Sequence, residues 1–200
     1  MPTVADVVTT ALKLAKIIPS GTTPSADESA DGQTCFQSLL DEWVAGGMFG
    51  RLTDVYLTGD DTAVEGRRYL LAAGVTLTIP SVIPRNNSDD YGASANSSSE
   101  RQPYDLSLIE SVTSAGVRTV KLYDRTAWVN LLGLTLADAA PLSSRGLTGL
   151  AATLACSGAF AAMFDDTKVS PRVEMLSRRF VGSLSGKAGS THERASVCYY

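Results

Sequence analysis

The chain has 200 residues, of which 44% are hydrophobic and 19% charged, with a formal net charge of −4. This suits one folded domain, or one domain with a sizeable insertion, that buries about 70% of its unfolded surface without disulfide staples. The acidic balance argues against a general nucleic-acid binder, because such proteins draw affinity from counterion release at a basic surface. No apolar run approaches the ~20 residues of a membrane span. The first residues lack the positive start and small-residue cleavage site of a signal peptide. Cys35, Cys156 and Cys198 are widely spaced and odd in number, so they read as two small core residues and one tail residue. A reducing cytoplasm is the expected place of synthesis.

Taken in chain order, Thr3 is placed to cap a first helix with Asp6 in its first turn. Val4, Val7, Val8, Ala11, Leu12, Ala15 and Ile18 make one apolar stripe, and Pro19 and Gly21 end it. Ser25 and Glu28 have capping-box spacing at the start of a second helix. Phe36, Leu39, Leu40, Trp43 and Val44 form its buried face, and Gly46–Gly47 stops it. Two helices joined by so short a turn are expected to lie antiparallel.

After Gly50 the period changes. "LTDVYLTGD" and "AAGVTLTIP" are rich in β-branched residues, with Val75, Leu77 and Ile79 alternating. "YDLSLIESV" and "GVRTVKLYDRTAWVNLLGL" follow, with "DRT" as a turn and Ala127 to Leu132 pairing back as a hairpin strand. Residues 51–135 are therefore expected to form a small antiparallel β module.

The helical period returns at Pro141–Leu142, where Ser143 or Ser144 can cap. Leu147, Leu150, Ala151, Leu154, Ala155, Ala159, Ala162 and Met163 then line a single helix ending near Phe164. Gly146, Gly149 and Gly158 cost helix propensity but let another helix approach. Ser170–Pro171 opens a last helix through Val173, Leu176, Phe180 and Leu184, with Arg172, Arg178 and Arg179 on its other side. Beyond Gly186 no period is visible. The expected fold is α+β: a four-helix bundle core (1–50 and 136–186), an inserted antiparallel β module (51–135) and an extended C-terminal tail (187–200). The module carries a long polar loop, 84–103.

Little in the sequence points to chemistry. The single histidine, His192, lies in the polar tail, so neither a Ser-His-Asp triad in an ordered site nor a multi-histidine metal cluster is expected. No phosphate-loop or dinucleotide fingerprint is present. "GLTGLAATLACSG" has the period of a packing helix. Asp60–Asp61, Asp89–Asp90 and Asp165–Asp166 fall where turns are expected. Trp128 is suited either to inward packing or to anchoring an interface. The arginines of the last helix suit either a solvated face or a partner contact. No cofactor, metal or catalytic residue is assigned.

The order of segments, more than any site motif, resembles the head-to-tail connector (adaptor, or head-completion) proteins of tailed bacteriophages. The resemblance rests on "TVADVVTTALKLAKIIPSGTTPSADESADGQTCFQSLLDEWVAGG" and "GLTGLAATLACSGAFAAMFDDTKVSPRVEMLSRRF". "GVTLTIP", "RQPYDL" and "YDRTAWVNLLGL" add to it in the middle. It implies a structural virion protein with no enzyme activity, made in the bacterial host cytoplasm. Its place would be the neck between capsid and tail, in a homo-oligomeric ring, usually of twelve subunits, below the portal protein. The ring would extend the DNA channel, contact genomic DNA without sequence preference, and offer an attachment surface to the tail or nozzle protein. An acidic protein suits such a channel, since a basic lumen would hold the DNA by its phosphates. A tail-side component (tail-completion or nozzle protein) is the alternative, and a virion-associated wall hydrolase a further one.

Two segments are expected to serve assembly. Near the C-terminus, Arg178, Arg179, Lys187 and Arg194 precede Tyr199 and Tyr200, and arginine and aromatic residues dominate interface hot spots. In the serine-rich stretch "NNSDDYGASANSSSERQP", Tyr91 is the bulky group, flanked by Arg85 and Arg101. Loops this long inside a compact domain are uncommon unless functional or disordered. The expectation is a loop that orders against neighbouring subunits or the adjoining tail protein.

Overall fold

Thr3 starts the first helix, α1 (Val4–Leu14), through a reciprocal capping box. Its hydroxyl accepts from the Asp6 amide at 3.3 Å, and the Asp6 carboxylate accepts from the Thr3 N–H at 2.8 Å. Two further orphan donors of the first turn, the Val4 and Ala5 N–H groups, are taken by the carbonyls of Asp138 and Leu136. The start of the chain is thereby tied to the segment that leads into the third helix. In the computed structural model, residues 1–49, 52–64, 66–80, 106–124, 127–164 and 168–188 are described.

Helix α2 (Ala26–Ala45) begins with the same device, Ser25 Oγ accepting from the Glu28 amide and Glu28 accepting from the Ser25 N–H. It packs against α1 closely because position 32 is glycine: a Cβ there would overlap the Val8 side chain. Gly46 caps its end.

Among the described residues seven strands follow: β1 (Thr53–Leu57), β2 (Asp61–Thr62), β3 (Arg67–Leu71), β4 (Leu77–Thr78), β5 (Leu106–Thr113), β6 (Arg118–Asp124) and β7 (Trp128–Asn130). Five make one sheet in the order β1-β3-β5-β6-β7, and β2 pairs with β4 apart from it. The sheet is mixed. β1, β3 and β5 run parallel, while β5–β6 and β6–β7 are antiparallel. The expectation of an antiparallel module is thus overturned. Alternation along a segment identifies a strand but not its direction, which the connections set. After Leu57 the chain returns to the starting end of β1 before entering β3, so the two strands run the same way. β3 itself went unrecognised, because Arg67, Arg68, Tyr69, Leu70 and Leu71 lack clean alternation.

The expected four-helix bundle is also overturned, since the described residues form five helices and a five-stranded mixed sheet. The run from Pro141 divides into α3 (Ser143–Ala155) and α4 (Gly158–Met163), and α5 (Pro171–Ala188) follows. Ser157 makes the break: its hydroxyl donates to the Leu154 carbonyl and accepts from the Phe160 amide, ending one helix and capping the next. The small residues around it keep a helical period through the interruption, which hides it in the sequence. The start of α3 differs as well. Buried Leu142 occupies the N-cap with a left-handed backbone, in place of a serine side-chain cap.

The helices pack with α2 on α1 and α4, α1 on α3, and α3 on α5. Their apolar stripes are covered from one side by the sheet. Leu108, Val120, Leu122 and Leu131 join Val8, Leu12, Phe36, Leu40, Leu150 and Leu154 in one core. Side-chain amides of α2 fasten this contact, Gln33 and Gln37 donating to the carbonyls of Leu134 and Leu131 at 2.7 and 2.9 Å. The opposite sheet face carries a smaller core of Leu57, Ala63, Tyr69, Leu71 and Ile109, covered by the β2–β4 segment. Trp128 packs inward there, and its indole N–H donates to the Pro80 carbonyl at 2.9 Å. The polar loop 84–103 and the tail beyond residue 188 lie outside the described residues.

Candidate functional site

Helix α5 carries the most distinctive exposed face. Val173, Ser177, Phe180 and Leu184 are buried on one side at helical spacing, which forces Arg172, Arg178 and Arg179 outward. The fit against α3 is close. Phe180 lies over Gly149, where an added Cβ would come within 2.7 Å of the ring. The outer face combines these arginines with Met175, and Met163 of α4 is similarly exposed nearby in the sequence order; the two are 43% and 45% accessible. An exposed methionine beside arginines has the composition of a contact surface rather than a solvated one.

Two shallow depressions indent this side. One, of about 460 Å³, is lined by Ala155, Cys156, Ala161, Glu174, Ser177 and Arg178 among others. The second, of about 430 Å³, lies among Pro171, Glu174, Met175, Arg178 and Arg179. Arg178 reaches Glu174 at 3.8 Å, but its side chain is 84% exposed, so the pair contributes little to stability. Cys156 is exposed as a residue and not in the core. Desolvation of its sulfur, then the Glu174 carboxylate, push its thiol up, outweighing Ser177 and Arg178. It is therefore no activated nucleophile.

A second cluster sits on the helix-facing side of the sheet. Glu110 of β5 is buried, accepts from Arg118 Nε at 2.7 Å and lies 3.6 Å from Arg68 Nε. Arg118 also approaches Asp41 of α2 at 4.0 Å. With its charge balanced by two guanidinium groups, Glu110 links three strands and a helix instead of offering a free carboxylate. A lone glutamate at a core-facing position of "LSLIESV" was the signal for it in the sequence.

Of the residues expected at an assembly surface, Arg178 and Arg179 stand side by side on α5, and Lys187 belongs to the last turn of the same helix. Arg194, Tyr199, Tyr200, Tyr91, Arg85 and Arg101 lie outside the described residues. Asp60 precedes β2 and accepts from the Thr76 amide, while Asp61, expected in a turn, instead opens β2, its carboxylate accepting from the Thr62 amide. Asp89–Asp90, Asp165–Asp166, His192 and Cys198 lie outside the described residues. Among the described residues, no group of three or more His, Cys, Asp or Glu side chains is placed to hold a metal. No helix among them is long and apolar enough to cross a membrane.

The fold and surface together define a mixed α+β protein with a cationic, methionine-bearing helix on the outside of an acidic chain. No protein-family model matches the chain, and no curated protein matches it.

Proposed function

We propose that the chain is a structural connector of a tailed phage particle, forming an oligomeric ring below the portal that extends the DNA channel and receives the tail. One observation carries the reading. The two segments on which the resemblance rests are far apart in sequence, yet they pack together, α1 on α3 and α2 on α4. α5, packed on α3, bears the arginine and methionine face. Such a face, rich in hot-spot residue types, favours protein contact. The net charge of −4 favours a channel through which DNA slides.

The test is to mix the purified chain with the portal protein of the same particle and image the product. An annular density added to one end of the portal is expected, and failure to bind the portal under any salt condition would remove the reading. Deleting residues 189–200 should leave a folded protein that joins the portal poorly. Normal attachment of the truncated chain would take the tail out of the interface.

A further inference from the structure

Two helices that share no extensive contact, α2 and α5, are opposite in charge. α2 contains Asp27, Glu28, Asp31, Asp41 and Glu42 and no lysine or arginine. α5 contains Arg172, Arg178, Arg179 and Lys187 against the single acid Glu174. Part of the acidic charge is used internally, Glu28 in the helix cap and Asp41 near Arg118. Asp27 and Glu42 remain exposed and Asp31 half-exposed. Between them the exposed positions of α2 are Ala30, Thr34 and Ser38, all small enough for another helix to come close. On α5, Arg172 and Arg179 have no carboxylate within ion-pair distance among the described residues, and the depression around Met175 lies between Arg178 and Arg179.

We infer that copies of this chain associate head to tail, the cationic outer face of α5 in one copy seated on the acidic outer face of α2 in the next. The second copy is the occupant that fits, because one chain supplies both complementary faces, on helices that share no extensive contact. Such a contact is heterologous: repeated, it closes into a ring or runs on as a filament. Opposite charge gives the pairing its direction and disfavours α2 on α2 or α5 on α5, where like charges would meet. The inference rests on the ring reading above and adds which faces meet.

Charge reversal of the full chain tests it by sedimentation. The wild type is expected to self-associate at low salt and less so at high salt, because exposed charges are screened. Arg178→Glu/Arg179→Glu makes the α5 face acidic like that of α2, and Asp27→Lys/Asp31→Lys/Glu42→Lys makes the α2 face basic like that of α5. Each alone should associate at least about tenfold more weakly than wild type. Mixed in equal amounts they should associate again, because each flank then meets its complement. Thermal unfolding of each variant shows that it is folded. If a reversal unfolds the chain, the neutral changes Arg178→Gln/Arg179→Gln and Asp31→Asn/Glu42→Gln should still weaken association. A wild type that stays monomeric at low salt up to its solubility limit overturns the inference. So does a folded reversed variant that assembles like wild type, or a mixture that stays monomeric. Portal binding is scored separately. Assembly through these flanks without portal binding would remove the connector reading alone, while portal binding with assembly indifferent to reversal would remove only this contact.

Discussion

Arg118 Nε donates to Glu110 Oε1 at 2.7 Å, joining the middle strand of the sheet to its neighbour at a point where Glu110 is only 5% exposed. Removing the carboxylate leaves Arg118 and Arg68 facing each other without their anion. Their side chains are 41% and 42% exposed, so water re-solvates them in part. Glu110→Gln should therefore cost about 2 kcal/mol, less than the ~3–5 kcal/mol for breaking a wholly buried pair. Denaturant unfolding of the variant measures this, and a loss near zero would show that the pair contributes nothing net.

Gly149→Ala should destabilise by about 1–3 kcal/mol through overpacking, since the new methyl meets the Phe180 ring and its Cβ together. Phe180→Leu should cost less in the Gly149→Ala background than in wild type. A double-mutant cycle with no coupling would mean that α5 shifts away freely.

The shared core predicts that a sheet residue and a helix residue fail in the same transition. Leu122→Ala and Leu150→Ala, both fully buried, should each cost about 2–5 kcal/mol. Far-ultraviolet signals for helix and sheet should then be lost together. Separate transitions in either variant would mean that the sheet folds apart from the helices.

Two exposed carboxylates give the chain a specific acid sensitivity. Asp6 is held below its ordinary value of 3.8 by the Thr3 backbone N–H and then the Thr3 hydroxyl, and Asp138 by the same two groups of Thr135. A depressed folded-state value means that folding favours the ionised form. The stabilisation is present above pH 3.8 and disappears as pH falls through the folded values. Asp6→Asn and Asp138→Asn should lower unfolding midpoints at neutral pH and converge with wild type in strong acid. Curves that stay parallel across the range would separate these carboxylates from stability.

Features that depend on residues three or four positions apart were legible in the sequence. The Thr3–Asp6 and Ser25–Glu28 boxes, the α1 stripe and the outward arginines of α5 are of this kind, because one helical turn brings their members together whatever the rest of the chain does. The candidate surface was legible to the same depth: Arg178 and Arg179 follow from the period of Val173, Phe180 and Leu184. The depression that Ala161 of α4 lines together with Glu174 and Ser177 of α5 was not, since it joins residues of two helices.

What only the tertiary structure decided involves partners far apart in the chain. The direction of β3 was set by the path back from Leu57, and the burial of Glu110 by Arg68 and Arg118 on the strands either side. The break at Ser157 lies in a small-residue run whose period fits one helix or two equally well. The helices themselves carry apolar stripes that another helix or a sheet would bury at similar gain, because hydrophobic burial is non-directional. Leu108, Val120 and Leu122 bury stripes that the helices of a closed bundle would bury against one another, and no local pattern distinguishes the two outcomes.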